Sequence, residues 1–245
     1  MSPTLADHVA LITGAGRGIG RATALALAAQ GCSVILVART GNEVEATATC
    51  ARQYGVQALP LTADVTDPDQ VASLLRQATA IGPISILVNN AGAAPPRRPH
   101  VRMAPSDWER TLATCLHAPL RLCAAVLPDM ITRGRGSIVN IVSTSALRPR
   151  PGEAAYAAAK AGLLAFSRAL FAEVRDAGVK VISVLPGYVD TAFIPPNRRI
   201  DRSTFLRPED VAAAIVIGIT SPGHACPTEI LLEPQADPDA PGGRH

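Results

Sequence analysis

The 245-residue chain has little of what nucleic-acid binding, membrane insertion or secretion requires. Aromatic residues make up 3% of it, which leaves few platforms on which bases could stack. A formal net charge of +3 is too small to indicate a polyanionic partner. No apolar run reaches the roughly 18 residues that span a bilayer, because Lys160 and Arg168 interrupt the richest stretch, Ala154–Phe171. The first residues lack the basic and apolar regions of a signal peptide. We therefore expect a cytoplasmic protein without a nucleic-acid or membrane partner.

Cysteine is scarce and irregularly spaced. No two cysteines form a C-x-x-C pair, and their number is odd. The sequence therefore predicts neither a metal site nor a disulfide framework, and a reducing compartment fits best. The five cysteines are Cys32, Cys50, Cys115, Cys123 and Cys226.

Short β-branched runs alternate with longer runs rich in alanine and leucine. The predicted strands are His8–Thr13, Ser33–Ala38, Val56–Leu61, Ile84–Asn89, Ser137–Val142, Val179–Leu185 and Glu229–Leu232. The predicted helices are Ile19–Gln30, Asn42–Tyr54, one from about Asp67, Ser106–Arg133 with Ser106 as N-cap, Glu153–Ala177 and Pro208–Ile219. Continuously apolar strands separated by helices indicate a parallel sheet covered on both faces. We expect a single-domain α/β fold of the doubly wound, Rossmann type over residues 1–233, and a flexible tail at 234–245.

A glycine-rich turn, Thr13-Gly-Ala-Gly-Arg-Gly-Ile-Gly20, links the first predicted strand to the first helix. Glycine permits positive φ and lets backbone N–H groups approach a pyrophosphate, which the helix N-terminus also attracts. A plain tight turn would need the same glycines. The position between strand and helix favours a dinucleotide site.

The end of the second strand indicates which dinucleotide binds. NAD sites usually carry an acidic residue about 20 residues beyond the glycines. Here the strand ends in Arg39 and Thr40, and the first acidic residue after it is Glu43. A guanidinium at this point would bind a 2′-phosphate, and Arg17 could flank the same group. The pattern predicts NADP(H), unless both arginines are simply solvated.

Tyr156 and Lys160 are spaced i,i+4 on a predicted helix, which places them on one face. An ammonium beside a phenol would lower the tyrosine pKa and make Tyr156 a general acid/base near neutral pH. The pair occurs often by chance, but other polar motifs end the predicted strands at the same sheet edge. Ser143 follows the fifth strand, Asn89–Gly92 the fourth, Asp64 the third and Pro186–Thr191 the sixth.

In this order and spacing, the motifs resemble the short-chain dehydrogenase/reductase family from about Val9 to Val216. The resemblance implies that Tyr156 moves a proton, that Lys160 binds the nicotinamide ribose and tunes Tyr156, and that Ser143 hydrogen-bonds the reacting oxygen. It implies cofactor contacts or support from Gly14, Arg17, Gly18, Ile19, Gly20, Asp64, Val65, Asn89, Asn90, Ala91, Gly92, Pro186, Gly187, Val189 and Thr191.

The expected activity is NADP(H)-dependent hydride transfer to a small carbonyl compound, or from a secondary alcohol, with a 3-oxoacyl compound or a hydroxy acid as candidate substrates. Family members commonly pair their two long helices between subunits. The resemblance therefore implies a homodimer or homotetramer built on the helices predicted at Ser106–Arg133 and Glu153–Ala177.

The chain departs from the family pattern at Cys115, where the family usually has a catalytic asparagine. Pro119 lacks an N–H, so the carbonyl of Cys115 would lose its helical partner and could hold the water of a proton relay. On that reading the side chain at 115 is incidental. Equally, Pro119 could merely kink the helix. A third reading is impaired catalysis, which would make the chain a non-catalytic NADP(H)-binding regulator.

Arginines are frequent in three loops expected to rim the substrate cleft. They suggest an anionic or carrier-bound substrate, although solvated loop arginines would give the same pattern. The positions are Arg97, Arg98, Arg148 and Arg150, with Arg198, Arg199 and Arg202 in the segment after Thr191.

Overall fold

The computed structural model describes residues 5–93, 97–194 and 201–238. Seven strands form one parallel sheet in the order β3-β2-β1-β4-β5-β6-β7, which confirms the doubly wound α/β prediction. The strands are β1 Val9–Thr13, β2 Ser33–Ala38, β3 Ala58–Thr62, β4 Ile86–Asn89, β5 Gly136–Ile141, β6 Val179–Pro186 and β7 Glu229–Leu232.

Helices cover both faces of the sheet. Their bounds are α1 Gly18–Ala29, α2 Gly41–Arg52, α3 Pro68–Ala78, α4 Pro105–Leu112, α5 Ala118–Thr132, α6 Ala154–Val174 and α7 Pro208–Thr220. Helices α1, α2 and α7 bury one apolar cluster against the sheet, and α3, α5 and α6 bury another on the opposite face. The continuously buried strands, such as Val9–Thr13, are apolar throughout because neither face of the sheet meets water.

The strand order reverses direction beside β1, which lies between β2 and β4. The loops after β1 and β4 therefore leave the sheet on opposite sides and open a crevice at the carboxyl ends of the strands. Ligands of doubly wound folds bind in such a crevice.

The predicted continuous helix Ser106–Arg133 is interrupted by a π-helical turn at Ala113–His117. The N–H of Ala118 donates to the carbonyl of Ala113, five residues back, and His117 is the N-cap of α5. Pro119 therefore occupies the first turn of α5, where a missing N–H is tolerated. The prediction of Ser106 as N-cap was also wrong. Ala104 is the N-cap, and Pro105 takes the first helical position.

The π turn changes which backbone carbonyls lose their helical N–H donor because of Pro119. The N-cap carbonyl of His117 accepts the first hydrogen bond of α5. The carbonyls of residues 114–116 then have one backbone donor within the helix, the N–H of Leu120, because Pro119 has none. The deficit is therefore shared among three residues instead of falling on Cys115 alone.

The helical run Pro105–Thr132 is long and apolar enough to cross a membrane by length and composition, with a mean hydropathy of 1.3 over 18 residues. Its inner side packs against the sheet through Leu122, Val126 and Met130, as a core helix does, so it is weak evidence for a membrane span. Only 39% of that window is buried within the single chain. Much of an apolar helix is thus left available to a second subunit.

Candidate active site

The glycine-rich turn after β1 has backbone conformations and close contacts that residues with a Cβ would not allow. Gly14 and Gly18 have φ values of +65° and +54°, the left-handed region in which glycine costs least. A Cβ on Gly20 would lie 2.2 Å from the carbonyl oxygen of Gly14. Gly20 therefore permits the close approach of α1 to the turn. It is absent from the cavity wall described below, and its predicted contact with the pyrophosphate stays a prediction.

Thr13 and Asn90 join the ends of β1 and β4 beneath the turn. The amide Nδ2 of Asn90 donates to the carbonyls of Thr13 at 2.9 Å and Gly14 at 3.2 Å. In return, Thr13 Oγ1 accepts from the N–H groups of Asn90 and Ala91 at 3.0 and 2.9 Å. These bonds fix the turn. The role of Thr13 was not predicted, because a threonine at a strand end has no distinctive sequence signal.

Asn89 lies beneath the same strand end and is buried. Its Nδ2 donates to Asn140 Oδ1 at 2.8 Å, and Asn140 Nδ2 donates to Ser167 Oγ at 2.8 Å. The chain of polar contacts ties β4 and β5 to α6. Asn89 thus lies where the family resemblance expects a residue that supports the central strands.

Ser143, Tyr156 and Lys160 come together at the carboxyl end of β5. Ser143 lies two residues beyond the end of β5, and its hydroxyl interacts with that of Tyr156. Lys160, one turn along α6, donates from Nζ to the carbonyl of Ile141 at 2.6 Å. Its Nζ lies 5.8 Å from the centre of the Tyr156 ring. The i,i+4 spacing therefore places the pair on one face, as predicted.

The pKa of Tyr156 is raised, whereas the sequence predicted that Lys160 would lower it. Desolvation in the cavity wall is the largest cause and the neighbouring Cys115 adds to it, while the Ser143 hydrogen bond opposes them. Burial also lowers the pKa of Lys160, and its ammonium is directed at the Ile141 carbonyl. The lysine does not offset the desolvation of the phenol.

These three residues and the glycine-rich turn share one cavity of about 1580 Å³. The predicted site residues in its wall are Gly14, Arg17, Gly18, Ile19, Arg39, Asp64, Val65, Asn90, Ala91, Gly92, Ser143, Tyr156, Lys160, Pro186, Gly187, Val189 and Thr191. The cavity extends from Arg39 to Tyr156, and Gly18 approaches Thr191 so closely that a Cβ would lie 3.1 Å from its Cγ2. An elongated cavity with a side-chain-free cradle at one end fits a dinucleotide.

Cys115 is buried outside the cavity wall, and its thiol contacts the backbone of Ala93. The N–H of Ala93 donates to Sγ at 3.4 Å, and Sγ donates to the Ala93 carbonyl at 3.3 Å. The preceding residue, Thr114, lines the cavity instead. The side chain at 115 therefore makes a structural contact, and the reading that it is incidental to catalysis stays a prediction. The thiol ties the π turn to the loop after β4, which carries Gly92.

The end of the cavity beside β2 contains an acidic residue as well as the two predicted arginines. Arg39, Arg17 and Glu43 all line it. The Arg17 guanidinium lies 3.7 Å from the Glu43 carboxylate, and both groups are partly solvated, so this ion pair is weak. Glu43 comes close because Gly16 has no side chain: a Cβ there would meet Glu43 Cβ at 2.7 Å.

Residues 234–238, predicted to begin a flexible tail, lie against the site. The Gly187 N–H donates to the Leu232 carbonyl at 2.8 Å, and the bare Cα of Gly187 admits Pro234 beside it. Pro238 is buried and its carbonyl accepts from the Asp201 N–H at 3.4 Å. The remaining tail residues, 239–245, lie outside the described residues. The prediction missed this wall because the proline-rich composition reveals nothing about a tertiary contact.

The rim arginines lie at different places. Arg97, Arg148 and Arg150 line the cavity; Arg97 pairs with Glu153, and Arg148 with Glu233. Arg202 lies on the outer side, paired with Asp190. Arg98 is exposed and absent from the cavity wall. The predicted contributions of Arg198 and Arg199 lie outside the described residues.

Known proteins share this sequence pattern and fold. The family described as short chain dehydrogenase matches residues 8–200. An uncharacterised oxidoreductase of Staphylococcus aureus strain MRSA252 is 32% identical over 231 residues, covering 94% of this chain and 98% of that protein. A metagenomic short-chain oxidoreductase in complex with NADP superposes with a TM-score of 0.83 at 31% identity, covering 96% of this chain and 100% of that one. An alcohol dehydrogenase from the archaeon Thermococcus sibiricus, complexed with 5-hydroxy-NADP, has a TM-score of 0.85 at 27% identity, covering 93% and 97% respectively.

The chain belongs to the short-chain dehydrogenase/reductase family of oxidoreductases. Membership implies a nucleotide cofactor and a small-molecule substrate. Two of the solved relatives carry NADP or 5-hydroxy-NADP.

Proposed function

We propose that the protein is an NADP(H)-dependent carbonyl reductase or, in reverse, a secondary alcohol dehydrogenase. The observation that carries the proposal is the meeting of Ser143, Tyr156 and Lys160 in the same cavity as the glycine-rich turn. The bound nicotinamide would supply or accept a hydride. The residues of this chain bind the substrate oxygen and move its proton.

Tyr156 is the proton donor in the reductive direction. Its raised pKa keeps the phenol protonated at neutral pH, the state that a general acid needs. Ser143 interacts with this hydroxyl, and when a substrate is bound its single O–H can donate to the substrate carbonyl oxygen instead. In the oxidative direction the same tyrosine must lose its proton first, which desolvation opposes.

Lys160 lines the cavity beside Tyr156. Its Nζ has three N–H donors, and the Ile141 carbonyl takes one of them at 2.6 Å. We assign the other two donors to the nicotinamide ribose and to the water molecule of a proton relay. The carbonyls of residues 114–116, which share a single backbone donor, would hold that water. Cys115 supports this arrangement by fixing the π turn on Ala93.

The preference for NADP(H) over NAD(H) rests on Arg39 and Arg17 at the adenosine end. A guanidinium forms strong charge-assisted hydrogen bonds with a phosphate, and the end of β2 carries no acidic residue that would hold an unmodified ribose. The NADP-bound relative agrees with this assignment. Glu43 weakens the preference for NADP(H), because its carboxylate would repel the 2′-phosphate.

The proposal is tested by NADPH consumption with a panel of ketones, aldehydes and 3-oxo esters, comparing wild type with Tyr156→Phe. The variant retains the ring but has no proton to donate, so we expect turnover to fall at least 100-fold while NADPH affinity, measured by fluorescence titration, stays within about threefold. Near-normal turnover of Tyr156→Phe would refute the role of the tyrosine. NADPH binding without turnover on any substrate would favour the regulator that Cys115 suggested.

A further inference from the structure

The substrate end of the cavity contains two guanidinium groups that converge on one phenol. Arg97 follows β4, Arg150 follows β5 and Tyr188 follows β6, so three separate loops meet there. Arg150 donates a hydrogen bond to the Tyr188 hydroxyl, and Arg97 interacts with the same side chain. Their Cζ atoms lie 6.0 and 4.7 Å from the centre of its ring, respectively. Arg97, Arg150 and Tyr188 all line the cavity.

Buried side chains fix the cluster of Arg97, Arg150 and Tyr188 in position, which distinguishes it from a pair of solvated loop arginines. Glu153 is 6% exposed, and its carboxylate pairs with Arg97 while accepting from Ser145 Oγ at 3.0 Å and the Arg150 N–H at 3.4 Å. Tyr188 is buried and stacks on Phe205 with the ring centres 5.1 Å apart. A buried carboxylate needs such a counterion, so the position of Arg97 is determined by the interior of the protein.

Guanidinium groups suit the recognition of a carboxylate. Each guanidinium has five N–H donors in a planar fork. The Glu153 carboxylate pairs with Arg97, and the Tyr188 hydroxyl accepts a hydrogen bond from Arg150. The planar fork of a guanidinium also matches the two oxygens of a substrate carboxylate. Rotatable lysines would lack that planar geometry.

The cluster also lies close to the reacting atoms. Glu153 is the N-cap of α6, three residues before Tyr156, Arg97 pairs with Glu153, and Tyr156 lines the same cavity as both arginines. One turn of helix is about 5 Å. A substrate whose carbonyl oxygen meets Ser143 and Tyr156 would therefore present a group a few bonds away to the two arginines.

We propose that Arg97 and Arg150 form a carboxylate-binding subsite and that the substrates are short oxo acids, or the corresponding hydroxy acids in the reverse direction. The inference rests on the proposed reductase function and specifies its substrate class. Tyr188 sets the spacing of the two guanidiniums, and Glu153 holds Arg97 in place.

The test compares an oxo acid with its methyl ester, for example 4-oxopentanoate and methyl 4-oxopentanoate. The two share the carbonyl and differ in the negative charge. For wild type we expect kcat/KM to be at least tenfold higher for the acid. Arg150→Met should lower kcat/KM for the acid at least tenfold, mainly through KM, and leave the ester within about twofold. Arg150→Lys should recover part of the loss.

Arg150 is preferred to Arg97 for substitution, because removing Arg97 would leave the buried Glu153 carboxylate without its counterion. Arg110→Met is the matched control: Arg110 is exposed on α4 and absent from the cavity wall, so it should leave both substrates unchanged. Circular dichroism checks that each variant is folded.

Calorimetric titration of 4-oxopentanoate into the NADPH-loaded protein separates this inference from the reductase proposal. Binding that weakens at least tenfold in Arg150→Met would support the subsite even if no compound turned over, a result that would overturn the reductase proposal alone. If the ester is reduced as well as the acid, or if Arg150→Met affects both equally, the carboxylate subsite is refuted while the reductase stands.

Discussion

Replacing Cys115 with alanine tests the contact between the π turn and the loop after β4. The substitution removes a fully buried sulfur and its two hydrogen bonds to Ala93. Thiol hydrogen bonds are weak, so most of the cost comes from the small cavity and from the backbone groups left without a partner. Together these amount to about 1–3 kcal/mol. For a domain of this size, each kcal/mol lowers Tm by roughly 2–4 °C.

The assay is urea unfolding followed by circular dichroism, with kcat measured on the same preparations. Cys115→Ser keeps a donor and an acceptor, so it should lose less stability than the alanine variant and retain more activity. Cys226→Ala is a matched control, because that partly buried thiol has one long contact, 3.8 Å to the Val181 carbonyl. Cys115→Asn should gain little, since a larger side chain must enter a packed site.

The result that refutes this reasoning is a Cys115→Ala variant as stable and as active as wild type. It would mean that the thiol fills space without fixing the π turn. A large gain in turnover from Cys115→Asn would instead show that the loss of the family's asparagine has impaired the enzyme.

Three further outcomes are expected. Arg39→Asp removes a partner of the 2′-phosphate and adds repulsion, so the ratio of Kd for NADH to Kd for NADPH, measured by calorimetry, should fall at least tenfold; an unchanged ratio contradicts the assignment. Because the pKa of Tyr156 is raised, the phenolate fraction grows as pH rises, so alcohol oxidation should accelerate with increasing pH while carbonyl reduction stays level or falls; parallel pH profiles of kcat would oppose this. Light scattering should show a dimer or tetramer, since α5 and α6 leave much apolar surface exposed; a monomer at micromolar concentration would refute it.

The parts of the fold that follow from local pattern were predictable from the sequence. The parallel sheet and both helical layers follow from continuously apolar runs separated by helices, and the glycine-rich turn follows from the backbone freedom of Gly14 and Gly18. The residues at the carboxyl ends of the strands meet because parallel strands end at one edge. Topology alone therefore brings Ser143 and Tyr156 together.

The features that were missed depend on contacts between distant segments. The π turn packs against α6, where Gly162 lies beside Leu116, and the Cys115–Ala93 contact joins residues 22 apart in sequence. The raised pKa of Tyr156 reflects desolvation by the whole cavity wall, which an i,i+4 pair does not reveal. Likewise, the position of residues 234–238 depends on the space that Gly187 leaves beside the site.

The π turn at Ala113–His117 also bears on how this helix tolerates changes in length. A π turn holds one residue more than an α-helix would between the same two ends. Deleting one residue there would therefore give a regular helix whose two ends keep their positions. Trp108 and Thr111 would still face as they do now relative to α5. A deletion within the regular helix α5 would instead rotate the segment before it by about 100°, so the π turn is the point in this helix where a change of one residue in length is best tolerated.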